Sequence, residues 1–372
     1  MAIMLMRFLS GFNSVLLALC VGSVFGADEG REFIAPSVAG DVHASTLVPI
    51  GENGDCFAAW FEGAKEGAGD VAICGARRRN GAWEAKRTLA KINPESPHWN
   101  PVLRRADDGR ICLYFKVGRN CVDWRTYVQE SRDDGETWSA ARELVVGDVS
   151  GGRGPVKNKC LRLKSGRWLA GASREFDPRR IDLTVCWRAF VDISDDDGRT
   201  WRRSSDFPVP ADAPKWGKRP FGVIQPTLWE DADGVHALMR ATDGWIWRTD
   251  SADDGETWRE CYRSSLENIN SGIDCVRASN GRLYLVMNGC NRDEKQREWG
   301  SRNHLEIRES ADGGKTWRVL EVLADDAFKQ ADGRRSEYSY PAIVELCKGA
   351  LAVTYTFNRH QIAFAAIRIE GR

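Results

Sequence analysis

Apolar residues in this chain come in short runs bounded by Gly, Asp, Asn or Pro. Ile111-Cys112-Leu113-Tyr114-Phe115 is one such run, and residues 235–240, 245–251 and 258–263 form three more in succession, alternating with polar positions and separated by Gly and Asp. Short runs with turn residues at their ends predict β-strands. The C-terminal part offers only three, over 341–346, 351–357 and 361–369.

A repeat organises these strands. The pattern S-x-D-x-G-x-T-W occurs at 131–138, 194–201, 251–258 and 310–317, and a weaker copy, Asn80-Gly81-Ala82-Trp83, precedes them. The period of about 60 residues suits one four-stranded blade of a β-propeller. Within each copy, Asp133, Asp196, Asp253 and Asp312 are placed to accept backbone N–H bonds in a hairpin turn, while the following glycine takes a backbone angle that other residues avoid. The tryptophans then pack between sheets. These aspartates and tryptophans therefore read as structural, not as acids or sugar platforms.

Half a blade out of phase, a polar residue opens each short apolar strand: His43, Asn100, Asn158, Gln225, Asp274 and Tyr340 or Tyr338. Six such positions predict six blades, an all-β propeller. Residues 32–35 are expected to supply the missing fourth strand of the last blade, closing the ring and removing an exposed sheet edge. The first strand of each blade lines the central channel, so the six opening residues are expected to meet at one axial mouth. His98-Trp99-Asn100 offers a ring that either stacks on a sugar or wedges a blade, and Lys157 and Lys159 flank Asn158 as solvated or anion-binding cations.

Composition narrows the partners. Lys plus Arg, at 53, equals Asp plus Glu, at 53, so no basic field exists to hold nucleic acid or an anionic membrane. Arg7, the apolar run over 15–24 and the small residues Gly26 and Ala27 read as a secretory signal peptide over 1–26, leaving 27–372 as one six-bladed domain outside the cytoplasm, secreted or periplasmic. No later stretch supplies the roughly 20 apolar residues of a membrane span. Of the 11 cysteines, Cys74, Cys112, Cys160, Cys186, Cys275 and Cys347 sit singly in apolar runs, as free buried thiols do. Neither these nor the five histidines show the spacing of a metal site. No metal and no cofactor is expected.

The four boxes resemble those of bacterial sialidases, and residues between them extend the likeness over the mature chain. Sialidases hold a sugar carboxylate with three arginines, use a tyrosine nucleophile activated by a glutamate, and protonate the leaving group with an aspartate. Gln225-Pro226-Thr227-Leu228-Trp229 running to Leu238-Met239-Arg240 is similar to the segment ending in the second arginine. Ser301-Arg302-Asn303-His304-Leu305 resembles the third. Glu337-Tyr338-Ser339-Tyr340 resembles the nucleophile segment and puts Tyr338 at the nucleophile.

Two positions depart from the family pattern. Val42-His43-Ala44-Ser45 replaces the segment of the first arginine, so His43 stands there as acid, base or third donor, and Gln225 stands where the activating glutamate is expected. A glutamine cannot take a proton from a phenol. For the leaving-group acid, Glu66 is nearest and Asp70 next, with Asp274 a further carboxylate at the axis. The resemblance implies an exo-acting glycoside hydrolase on a terminal acidic sugar, with Arg240, Arg302 and Gln225 contacting the glycan, and the strand-opening positions at the axial mouth add Asn100, Asn158 and Asp274 as expected contacts. A glycan lyase using His43 and Tyr338, and a carbohydrate-binding propeller without catalysis, remain alternatives.

Overall fold

The computed structural model describes residues 31–36, 38, 40–51, 54–175, 187–214, 220–289, 300–325, 333 and 335–369. The expected signal peptide and Cys186 lie outside them. Among the described residues there is no helix, and the strands form six antiparallel sheets around an axis.

Each sheet is one blade, and the chain runs outward through it strand by strand. Blade 1 starts with the strand Asp41–Ile50, blade 2 with His98–Arg105, blade 3 with Leu161–Arg162, blade 4 with Val223–Glu230, blade 5 with Asp274–Arg277 and blade 6 with Tyr338–Cys347. The fourth strand of blade 6 is Glu32–Phe33, paired antiparallel to Gln361–Arg368 with Glu32 opposite Phe364. The ring is thus closed by a strand from the other end of the chain, as the count of C-terminal strands predicts.

Among the described residues the large apolar clusters number six rather than one. Each large apolar cluster lies between two consecutive blades, from Leu103, Leu113 and Phe115 of blade 2 against Phe57 and Phe61 of blade 1, to Phe364 of blade 6 against Trp60 of blade 1. Both faces of each sheet are therefore covered, which is why central strands such as Ile111–Val117 are buried at every position. Cys56, Cys74, Cys112, Cys160, Cys261 and Cys275 are free and buried, and burial pushes the thiols of Cys56, Cys160, Cys261 and Cys275 up to about 12. They act as small hydrophobes.

The boxes are turn motifs, built alike in all four copies. In the first, Asp133 accepts from Thr137 N at 2.9 Å and Thr137 Oγ1 at 2.6 Å, Ser131 Oγ donates to Asp133 Oδ1 and accepts from Gly135 N, and Trp138 Nε1 donates to Gly135 O at 3.1 Å. Those hydrogen bonds hold the Asp133 carboxyl down at about 2. Gly135 has φ 84°. A Cβ there would lie 2.5 Å from the Phe57 ring, because each box packs on the preceding blade.

The inner strands carry a second repeated device. In blades 1, 2, 4 and 6 the pairing slips by a bulge near the strand start, and the bulged residue is left-handed: Ala44 (φ 56°), Asn100 (φ 40°), Gln225 (φ 56°) and Tyr340 (φ 51°). In three of the four the next residue is Pro101, Pro226 or Pro341, which has no N–H to give to the ladder and so suits a bulge. The bulge aligns Ala44, not His43, with Asn100 and Gln225.

Candidate active site

Tyr340 stands at the centre of the site. A regular strand would put Tyr338 and Tyr340 on the same face, but the left-handed bulge turns the second away from the first. Tyr338 is buried between blades 5 and 6, its ring 6.5 Å from that of Tyr355 and 5.1 Å from that of Phe357. Tyr340 instead faces the axis. Its hydroxyl lies 3.4 Å from Arg240 Nη1 and 3.5 Å from Gln225 Nε2, both in blade 4, and its ring lies 4.2 Å from that of His43 in blade 1. Of the two tyrosines, Tyr340 is the one that meets the expected partners; the assignment of Tyr338 to the site does not fit its packing.

Cations surround this phenol. Arg302 reaches from the segment before the strand His304–Ser310, its guanidinium 5.7 Å from the centre of the Tyr340 ring. Arg240 is held by Asn270 Oδ1 at 2.6 Å and lies over the Trp187 ring. Arg359, which the sequence reading did not single out, enters from the left-handed turn Asn358-Arg359 joining the last two strands. It donates to Glu337 Oε2 at 2.9 Å and pairs with Glu66. Arg302 pairs with Glu337 Oε1 at 3.3 Å. Burial alone would raise the Glu337 carboxyl, but Arg359 and Arg302 outweigh it and hold it at about 2. Beside them opens a cleft of about 350 Å³ lined by Gly300, Ser301, Arg302, Ser336, Glu337 and Arg359, among others.

His43 is a neutral member of the cluster. Burial, and then the charges of Arg359, Arg302, Lys157 and Arg240, lower its pKa well below the ordinary value, so at neutral pH it cannot replace the missing arginine as a cation. Its Nδ1 lies 2.8 Å from Thr356 Oγ1.

Other predicted residues prove structural. Asp274 is saturated, accepting from Lys159 Nζ, Thr227 Oγ1 and Ile343 N at 2.8–3.0 Å. Lys157, pushed down to about 7 by burial, donates to Asn158 Oδ1, Ile273 O and Pro341 O, and Asn158 Nδ2 donates to Gln225 O at 2.9 Å. These bonds bolt blades 3, 4, 5 and 6 together beneath Tyr340. Asp70 accepts from Ala64 N at 2.8 Å and closes its own loop, whereas Glu66 from the same loop reaches the rim through Arg359. Trp99 donates to Gly118 O at 2.8 Å and packs on Phe61 and Trp124, as a wedge would. Asn100 is buried at its bulge.

The residues that converge are therefore His43, Gln225, Arg240, Arg302 and Tyr340, joined by Glu66, Glu337 and Arg359 and, through a 3.1 Å hydrogen bond from Gln225 Nε2, by Glu175. The X-Pro register of Asn100-Pro101, Gln225-Pro226 and Tyr340-Pro341 was the signal in the sequence that separates Tyr340 from Tyr338.

An axial cationic cleft on a six-bladed, box-bearing propeller defines the class of protein. The model of the BNR repeat-like domain matches residues 54–353, and the chain belongs to that family. No curated protein matches it. Among solved structures it is similar to a protein of unknown function from Dyadobacter fermentans, with 17% identity over 92% of this chain and 98% of that one and a TM-score of 0.71. It is also similar to the Hadza microbial sialidase Hz136, at 16% identity over 89% and 66% with a TM-score of 0.69. A variant of the NanB sialidase from Streptococcus pneumoniae follows at 13% identity over 94% and 72%, with a TM-score of 0.66. At such identities the likeness establishes a sialidase-like fold.

Proposed function

We propose that the protein is an exported glycoside hydrolase that removes a terminal acidic sugar from a glycan at this axial site. The observation that carries the reading is the convergence of Arg240, Arg302 and Arg359 on Tyr340 and the neutral His43. Guanidinium groups donate paired, charged hydrogen bonds that suit a carboxylate, and Arg302 and Arg359 border the open cleft where a sugar acid fits. Tyr340 supplies the oxygen that bonds the anomeric carbon as the glycosidic bond breaks. Neutral His43 takes the phenol proton and passes it to solvent, the leaving oxygen takes a proton from solvent in the open cleft, and water then adds to the anomeric carbon, returning a proton to Tyr340 and releasing the sugar. The sialidases among the structural relatives give this reading its substrate class.

One observation favours a second reading. Gln225 has no carboxylate with which to activate the phenol, and His43 packs ring to ring with Tyr340, an arrangement in which His43 abstracts a proton beside an arginine-neutralised uronate and Tyr340 protonates the leaving group, as in a lyase. Incubation of the purified protein with sialosides and uronate-capped oligosaccharides, followed by mass spectrometry, separates the two. A hydrolase adds water across the bond; a lyase yields an unsaturated sugar that absorbs in the ultraviolet. Binding without either product would leave a glycan-binding propeller.

A further inference from the structure

One half-buried carboxyl near the axis has no part in that scheme. Glu175 follows the blade 3 strand Trp168–Arg174, and its Oε1 accepts a hydrogen bond from Gln225 Nε2 at 3.1 Å. The same amide nitrogen is the one 3.5 Å from Tyr340 Oη, and Gln225 Oε1 is buried without a hydrogen-bond partner among the described residues. An amide can turn either end toward a neighbour, and orphaning a buried carbonyl is unfavourable. Something must therefore hold the amide with its N–H groups toward both oxygens. An ionised carboxylate only accepts, so Glu175 admits the nitrogen and rejects the carbonyl.

We infer that Glu175 is a positioning residue for Tyr340: by orienting the Gln225 amide it makes the phenol oxygen a hydrogen-bond acceptor, with N–H donors from Gln225 and Arg240. Donors to a phenol oxygen favour its ionised form, whereas an acceptor facing the O–H favours the neutral form. Gln225 cannot deprotonate Tyr340, but in this orientation it stabilises the phenolate. The inference rests on the reading of Tyr340 as the reacting group and adds a residue that the resemblance to sialidases does not supply. Burial raises the Glu175 carboxyl, opposed by the charge of Arg240, the hydrogen bond from Gln225 and the charge of Lys116, which favour the ionised form that this orientation requires.

The test needs no substrate. Phenolate absorption is titrated in the ultraviolet, with a Tyr340→Phe counterpart subtracted in each background to isolate Tyr340. Four proteins form a cycle: wild type, Glu175→Gln, Gln225→Leu and the double variant. Gln225→Leu removes one donor and should make Tyr340 about tenfold less acidic. In that background Glu175→Gln acts through charge alone, and losing a negative neighbour makes the phenol more acidic. With Gln225 present the same substitution also frees the amide to turn, so the gain should shrink or reverse, by about tenfold in acidity. Additive effects of the two substitutions would overturn the inference. If Gln225→Leu does not fold, the side-chain amide signals of Gln225 in the wild-type protein serve instead; they should follow a titration that Glu175→Gln abolishes, and signals that ignore it would overturn the inference equally. Coupling in a protein that cleaves no acidic glycan would retain the positioning and reject the proposed activity, so the two fail separately.

Discussion

At the scale of single residues, the two tyrosines of Glu337-Tyr338-Ser339-Tyr340 have opposite surroundings although only one residue separates them. Tyr340→Phe should abolish turnover of an acidic glycan with little change in its affinity, because only the reacting oxygen is lost. Tyr338→Phe should keep turnover. A fully active Tyr340→Phe variant would move the chemistry to another group. The arginines make a separate prediction. Arg302→Ala and Arg359→Ala should each weaken binding of an acidic ligand by about 2–5 kcal/mol, as loss of one partner of a desolvated charge pair does, and leave a neutral analogue of the same ligand nearly unaffected. Calorimetric titration of both ligands measures the difference. His236 carries a third, unrelated to the site. Its ring lies 2.5 Å from Asp250 Oδ1 and 2.8 Å from Asp231 Oδ1, stacks on Trp229 and has Arg248 Nη2 at 3.0 Å. Burial opposes its protonation, but Asp250 and Asp231 outweigh burial and raise its pKa. Protonation thus favours the folded state: the contribution is complete below the unfolded value of about 6.5 and disappears as pH rises through the higher folded value. Urea melts of His236→Gln should lose the excess stability that wild type shows on the acid side of that window.

At the scale of the element, the box turn and the bulge differ in how they are written. The box is local: Ser131, Asp133, Gly135, Thr137 and Trp138 satisfy one another within eight residues, so its chemistry is legible in any one copy and the four copies fix the blade period. Strand count and the closing strand at Glu32–Phe33 follow from that period. The bulge depends on pairing with the next strand, and a period-two reading of 338–340 places both tyrosines on one face. Only the recurrence of X-Pro across blades 2, 4 and 6 exposes the slip. Glu175, Arg359 and Glu337 were less legible still, because what brings them to the axis is the closure of the ring and not any spacing along the chain. The box itself is testable. Asp253 accepts from Thr257 N and Thr257 Oγ1 at 2.9 and 2.6 Å, and Asp253→Ala should cost about 1–3 kcal/mol of stability through unmade turn bonds. The pH profile of turnover in the folded fraction should stay as in wild type. Loss of turnover at full stability would instead assign the box a chemical role.

At the scale of the whole molecule, a ring of six sheets with cores only between neighbours is as stable as its weakest junction, and the junction sewn by the chain termini is held by one short strand. Glu32–Phe33 contributes only two residues of pairing to blade 6. The contact is reinforced across to blade 1: Arg78 donates to Glu32 Oε1 at 2.8 Å and Oε2 at 3.2 Å, Trp83 Nε1 donates to Oε2 at 3.0 Å, and the Arg78 guanidinium lies over the Phe364 ring. Arg78 is fully buried while Glu32 is about one third exposed. Removing the carboxylate takes from the buried Arg78 its hydrogen bonds to Glu32, and with Glu32 in reach of water Glu32→Ala should cost about 1–3 kcal/mol. The two groups act as a pair, so Glu32→Ala combined with Arg78→Met should lose less stability than the two single variants lose in sum. Chemical denaturation of wild type, both single variants and the double variant gives the coupling directly. A double variant as unstable as the sum of the two singles would show that Arg78 answers to blade 1 alone and that the ion pair does not hold the ring closed.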